Sequence, residues 1–268
     1  MKSTVLKFSR KDPKKFFKTL NSRVNSYFKE NNLKRTGNWQ LWLKTIVMFC
    51  IFLVPYFLIL TIHMPGWLQI LFTVIMGVGM AGVGMNVMHD GNHNSFSRYP
   101  WINKLMGSSI YLLAGNVHNW KVQHNILHHT YTNIDGVDDD IEVGVFMRMA
   151  PTQKYLAMHR FQHIYFWFLY MLLYIFWIFF TDYKKYFSKK IGSIALSDMT
   201  IGEHIEFWAV KVYHAAAFVI VPIYMVGWLS WLVGFLLATL FAGFVLSIVF
   251  QLAHTVEDTS FPLAIQPE

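Results

Sequence analysis

The sequence has little cysteine and little charge. Its single cysteine, Cys50, has no partner in 268 residues, which excludes intrachain disulfides and any zinc or iron–sulfur site built from thiolates. Charged residues make up only 14% of the chain, against 54% hydrophobic and 18% aromatic residues. That balance argues against a soluble protein and for segments that face lipid. There is no Ser/Gly/Pro-rich linker and no internal repeat, so the chain is read as one domain over residues 1–268. Acidic residues are the scarcer sign, 15 against 23 Lys and Arg, for a formal charge of +8.

That excess is not a nucleic-acid patch. Twelve of the 23 basic residues precede residue 45, in "KFSRKDPKKFFKTLNSR" and its continuation, ahead of the first hydrophobic run. This is the placement of a cytoplasmic arm (1–40) held by anionic lipid head groups, with no nucleic-acid partner. The first apolar run begins near Leu41 and is followed by no small-residue cleavage site, which makes it an anchor and not a secretory signal.

A membrane span needs about 20 apolar residues. Leu41–Ile62, with Pro55 as a kink point, and Trp67–Met88 qualify and form a first hairpin (41–88) around "HMPG". Trp208–Met225 and Leu229–Gln251 form a second (206–251) around "VGWLS". The segment His163–Thr181 is also long and apolar enough to cross. If it crosses, Lys184, Lys185, Lys189 and Lys190 lie outside; if it does not, all 23 Lys and Arg share one face. The positive-inside rule, and the crowding of Tyr, Trp and Phe in this segment, favour an interfacial or re-entrant helix at 163–181. The expected fold is therefore all-α and integral to the membrane. Two transmembrane hairpins (four spans) and an interfacial helix lie under a cytoplasmic helical cap at 89–162, and 252–268 begins a further cytoplasmic region. A multi-pass membrane protein with its N-terminus and histidine clusters on the cytoplasmic side follows from this layout.

The string "GVGMAG", Gly77 to Gly82, matches the dinucleotide pattern G-x-G-x-x-G. It lies mid-span and not between a strand and a helix, so it is read as small residues that let helices pack closely.

Histidines carry the chemistry. His89 and His93 in "HDGNH" lie just past the second span, and His124, His128 and His129 lie in "HNILHHT". Residues four apart share a helix face, so each i, i+4 pair can converge on a metal. His129 points about 100° away from His128 on a regular helix, a spacing compatible with two metals close together. Imidazole without thiolate suits iron, zinc or copper. Zinc hydrolases of the H-E-x-x-H kind need a glutamate after the first histidine, where this chain has Asp90 and Asn125, so oxygen-activating iron gains over hydrolysis. His254, at the end of the last span, is a further ligand candidate. His118 is placed near the second cluster as a supporting residue, and His159 and His163 are read as structural. His63, His204 and His214 are incidental. The acidic run "NIDGVDDDIE" can orient ligands through hydrogen bonds, but most of it reads as a solvated turn.

These motifs resemble the membrane-bound fatty acid desaturases. "HDGNHNSF" is similar to their first histidine box and "NWKVQHNILHHTYTN" to their second, while "MHRFQHIY" and "FQLAHTVEDTSFP" resemble the bacterial linoleoyl-CoA or front-end branch. The resemblance, from about residue 30 onward, implies two iron ions held by His89, His93, His124, His128, His129 and His254. It implies dioxygen as co-substrate, and an acyl substrate carried as a CoA thioester or lipid ester. It also implies electrons from a separate small cytochrome or ferredoxin with its reductase, since no haem-domain "HPGG" is present. Family members carry a third box, H/Q-x-x-H-H, downstream of the last span. This sequence stops seventeen residues past Gln251 without one. The resemblance thus sets a fragment, or a shortened inactive lipid-binding relative, beside the enzyme. A membrane di-iron hydroxylase and a b-type haem electron carrier are the other readings.

Overall fold

The computed structural model describes residues 15–263 except Ser193 and Ser197. The first fourteen residues of the basic arm and the last five of the chain lie outside the described residues.

Eight helical elements follow one another among the described residues. Helix α1 (Phe16–Glu30) precedes the first long apolar helix, α2 (Trp39–Thr61). Helix α3 (Gly66–Asn92) returns after a short turn. Then come α4 (Pro100–Gly107), continued by a 3-10 turn at Ser108–Leu113, and α5 (117–131). The last three are α6 (Ala157–Ser188), α7 (Ile201–Val226) and α8 (Trp228–His254). A two-stranded ribbon, β1 (Lys190–Ile191) with antiparallel β2 (Ile194–Ala195), joins α6 to α7. Residues 132–156, expected as part of a helical cap, form an irregular loop. Its polar residues hydrogen-bond to the backbone and to neighbouring elements instead of to a helical ladder.

Local chemistry sets the helix ends. The Asn38 side chain accepts from the Gln40 and Leu41 amides and so caps α2. Thr200 and Glu203 form a reciprocal capping box at the start of α7. Gly227, at φ 82°, supplies the left-handed residue between α7 and α8.

Small residues bring the long helices together. A β-carbon on Gly77 would lie 2.6 Å from the Ala238 carbonyl oxygen of α8, and one on Gly79 would lie 2.5 Å from the Phe52 amide of α2. "GVGMAG" therefore packs one helix against two neighbours, as expected for small residues in a span. Pro55 leaves the Ile51 carbonyl without its helical donor at this same level of α2. On another face of α8, Gly243 abuts the Met171 carbonyl of α6, and the Ser247 hydroxyl donates to Tyr170 O at 3.1 Å. The core between these contacts is Phe52, Val83, Val87, Leu113, Tyr174, Ala242 and Leu246, all buried.

Among the described residues, five helices are long and apolar enough to cross a membrane: α2, α3, α6, α7 and α8. Helix α6 extends well beyond the expected 163–181, and both its ends are tied to one polar loop. Near its start, Tyr165 donates to Phe146 O at 2.8 Å, and Gln162 exchanges hydrogen bonds with the Arg148 backbone. Near its end, Lys185 lies 3.7 Å from Asp139.

A cavity of about 300 Å³ opens among Tyr56, Thr73, His214, Phe218, Trp231 and Thr239. It lies toward the Gly66 end of α3 and the Leu229 end of α8, opposite the histidine-bearing ends. The buried layer of Val83, Val87, Leu113 and Leu246 stands between.

Candidate metal centre

All five box histidines and His254 meet at one end of the bundle. Helix α3 delivers His89 and His93, α5 delivers His124, His128 and His129, and α8 delivers His254 from its last turn. Both boxes border stretches of wide π winding, Val83–Met88 before His89 and Lys121–His128 in α5. Such segments often mark functional positions.

The π winding adds a contact to the pairing expected in the second box. The His124 and His128 rings share a face, stacked with centroids 5.3 Å apart, and have donor atoms within 4.8 Å of each other. In addition His124 Nε2 meets His129 Nε2, five residues on, at 3.2 Å. His89 Nε2 approaches the same His124 atom at 3.1 Å. His128 Nε2 turns to His254 Nε2, at 3.3 Å. The first box keeps its expected i, i+4 form, with the His89 and His93 rings 4.4 Å apart.

These spacings fit a bound metal. Two imidazole nitrogens on one ion, at about 2.0–2.1 Å each and at angles from right to tetrahedral, stand roughly 2.9–3.4 Å apart. His93 Nε2 is buried with no hydrogen-bond partner, an unmet valence that a metal would satisfy. Among the described residues, two groups of side chains have donor atoms within 4.8 Å of one another: His89, His93 and His124, and His124, His128 and Asp140. His124 belongs to both. The donor set, imidazole with flanking carboxylate and no sulfur, suits iron and fits the pair of ions that the resemblance implies. Nitrogens this close cannot flank a porphyrin from opposite faces, which argues against the haem reading.

The carboxylates behind the imidazoles overturn the reading of most of the acidic run as a solvated turn. Asp138 is fully buried and holds His128 Nδ1 through both oxygens, at 3.0 and 3.1 Å. It also accepts the Asn133 and Asp140 amides. Asp140 reaches His128 Nδ1 at 3.3 Å and His124 Nδ1 at 4.0 Å. Asp90 backs His89 Nδ1 at 3.4 Å. A donor on Nδ1 directs the free lone pair to Nε2, the atom turned into the cluster. The spacing of the acidic run gave no sign of which members fold inward.

Electrostatics follow this packing. Burial, then neighbouring imidazoles, lowers His93 to about 4 and His124 to about 2. Both are neutral, ligand-ready bases at neutral pH. Burial and His128 also lower His129. For His128, burial is outweighed by its hydrogen bond to Asp138 and the charges of Asp140 and Asp138, so its pKa rises. Burial pushes Asp140 up to about 6.

The indole of Trp120 roofs the site, its centroid 4.5 Å from that of His124 and 5.9 Å from those of His89 and His93. Phe250 of α8 packs on His128 and on His254 of its own helix. Neither aromatic was singled out from the sequence, although Trp120 stands four residues before His124.

The other histidines fall elsewhere. His118 pairs with Glu203 at 3.2 Å and not with the cluster. His159 braces the loop through Val145 O at 2.9 Å, the structural role expected of it. His204 bonds Tyr186, and His214 stacks on Phe218 beside the remote cavity.

Comparison with known proteins identifies relatives. The family model described as fatty acid desaturase matches residues 65–266. The sn-1 linoleoyl-lipid 6-desaturase of Arthrospira platensis is 32% identical over 92% of this chain and 67% of that protein. The acyl-lipid (8-3)-desaturase of Physcomitrium patens is 31% identical over 97% of this chain and 55% of its own length. The sn-1 linoleoyl-lipid 6-desaturase of Synechocystis is 30% identical over 96% and 71%. The chain thus spans only part of the length of each of these relatives.

Proposed function

The chain belongs to the fatty acid desaturase family, and from that membership we propose that it removes two hydrogens from the acyl chain of a membrane lipid at a histidine-held pair of irons. The observation that carries the proposal is the layer of six imidazoles at one end of an apolar bundle, five of whose Nε2 atoms meet at 3.1–3.3 Å, those of His89 and His129 on His124 and that of His128 on His254, with the unpartnered Nε2 of His93 beside them.

The proposed ligands are His89, His93, His124, His128, His129 and His254. His124 and His129 serve one metal with the first box, and His128 and His254 serve the other. When bound, the irons supply dioxygen activation and the power to break an unactivated C–H bond. The residues of this chain hold and aim. Asp138 fixes the His128 ring with Nε2 inward, and Asp90 does so for His89. Trp120 and Phe250 pack against the sides of the cluster.

An ester-linked lipid is the proposed substrate in preference to a CoA thioester, because the matched relatives are named for acyl-lipids. Electrons reach the centre from a separate small cytochrome or ferredoxin docked on the histidine face. The proposed topology has four crossings, with α6 lying along the interface on the side of the histidines. The tie of both its ends to the 139–148 loop supports this, as does the collection of basic residues on one face. That face is the cytoplasmic one, and α1, with exposed Phe16, Leu20 and Val24 beside Lys18 and Arg23, rests on the same lipid surface.

The test is lipid analysis after expression in a host supplied with a defined fatty acid, together with iron content of the purified protein. A new double bond that disappears in His128→Ala, along with bound iron, supports the assignment. Wild-type iron and product in that variant would remove His128 from the ligand set. A hydroxylated product would select the hydroxylase reading, since the same centre serves both reactions. Reading the coding frame past residue 268 for an H/Q-x-x-H-H box separates a fragment from a shortened lipid-binding relative.

A further inference from the structure

The segment "DYKKYF" buries a lysine. Lys185 is 5% exposed, and a buried ammonium is costly unless its donors are met. Its Nζ donates to the Gln123 side-chain oxygen and lies 3.7 Å from Asp139. Lysine offers donors only, so Gln123 must turn its oxygen toward Lys185 and its NH2 away. That NH2 donates to Asp140 Oδ1. The other oxygen of Asp140 faces His128 Nδ1 at 3.3 Å and His124 Nδ1 at 4.0 Å.

The line Lys185–Gln123–Asp140 thus runs from a helix outside the boxes to the back edges of two box histidines. It differs from the support given by Asp138, whose hydrogen bonds to the boxes go to His128. His124 matters more, since it belongs to both groups of donors. Its Nδ1 has one carboxylate within 4.0 Å, that of Asp140. The line reaches the histidines at Nδ1, away from the converging Nε2 atoms.

We propose that Lys185 is a positioning residue of the metal centre, acting through Gln123 and Asp140 to set the direction in which His124 presents its Nε2. The proposal rests on the metal-site reading given above. With Lys185 removed, the Gln123 amide is free to turn over, Asp140 loses a fixed donor, and the His124 ring loses the carboxylate that aims it.

The test uses the whole chain, purified in detergent and stripped of metal, with Co(II) as a visible probe of the iron site. Lys185→Met is expected to weaken Co(II) binding about tenfold or more and to shift its visible absorption bands. Gln123→Leu is expected to do the same, and the double variant to be no worse than either single one. Lys185→Arg, which keeps a donor for Gln123, is expected to recover most of the band position. Gln123→Leu leaves Lys185 paired with Asp139 and carries the test where Lys185→Met fails to fold. Lys211→Met, which breaks the buried Lys211–Asp182 pair (2.9 Å), reports structural damage alone: a lower melting temperature with wild-type Co(II) bands. Wild-type Co(II) affinity and bands in Lys185→Met and Gln123→Leu would overturn the proposal while leaving the metal reading in place. So would changes no larger than those of Lys211→Met. A wild-type chain that takes up no Co(II) would overturn both.

Discussion

The imidazole of His128 and the carboxylate of Asp138 meet at 3.0 Å, ten residues apart and out of reach of water. With one nitrogen so engaged, His128 has only Nε2 to offer, and that atom stands 3.3 Å from His254 Nε2, 126 residues further on. A contact between residues about half the described chain apart is therefore aimed by a short local loop.

Asp138→Asn is expected to lower iron affinity about 10- to 100-fold while preserving the fold. The amide keeps an acceptor for one of the three donors that Asp138 serves, but lacks the charge that favours the proper tautomer. Iron per chain by elemental analysis, together with the melting temperature, checks this. Iron loss with little change in melting is the expected pair of results.

Helix packing has its own test at Gly243. A β-carbon there would stand 2.3 Å from the Met171 carbonyl, a backbone atom that cannot swing aside. Gly243→Leu is expected to destabilise the protein by about 1–3 kcal/mol or more through overpacking, read as a lower melting temperature in detergent. Gly84→Ala is the counterpart: its nearest neighbours are side-chain tips of Leu113 and Leu246 at 3.3 and 3.4 Å, and little change is expected.

The metal-free protein should be acid-sensitive in a particular window. His93, lowered to about 4, and His124, lowered to about 2, bind protons more weakly in the fold than in the unfolded chain, where the value is 6.5. Their stabilising contribution is whole above about pH 6.5 and is lost as pH falls below it. Asp140 acts with opposite sign. Raised from 3.8 to about 6 by burial, it favours the fold at low pH, a contribution that shrinks as pH rises through that interval. His129 and His254 are lowered as well, while His128 and Asp182 are raised with Asp140, so four lowered histidines stand against three raised groups. The melting temperature of metal-free protein is expected to drop from about pH 7 to about pH 5, and His124→Gln is expected to flatten the drop.

The hydrophobic runs, the hairpin turns and the two boxes were all legible in the sequence, because each is a local pattern of burial or spacing. Gly77 and Gly79 could be read as packing residues for the same reason. The π winding in α5 was not legible. The i, i+4 rule assumes regular helix, and His124 meets His129 only because that winding is set by tertiary packing. Asp138 and Asp140 were hidden in a run of acids where composition says "turn" and only long-range contacts choose which carboxylates point inward. His254 was recognisable as a candidate from its place at a span end, whereas its partner, His128, became visible only in three dimensions.

Helix α6 offers a test of topology. In a Cys50→Ser background, Lys189→Cys and His63→Cys are expected to react with impermeant thiol reagents from opposite faces of sealed vesicles, Lys189 from the side of the N-terminus. Labelling of both from one face would mean that α6 crosses the membrane.

The most direct measurement is mass analysis of the acyl products formed by purified, iron-loaded protein with dioxygen, a reductant system and a lipid substrate. Desaturation predicts an acyl chain lighter by about two mass units, made only with dioxygen and absent from His128→Ala. An acyl chain heavier by about sixteen mass units would contradict the account, as would wild-type product formation in His128→Ala.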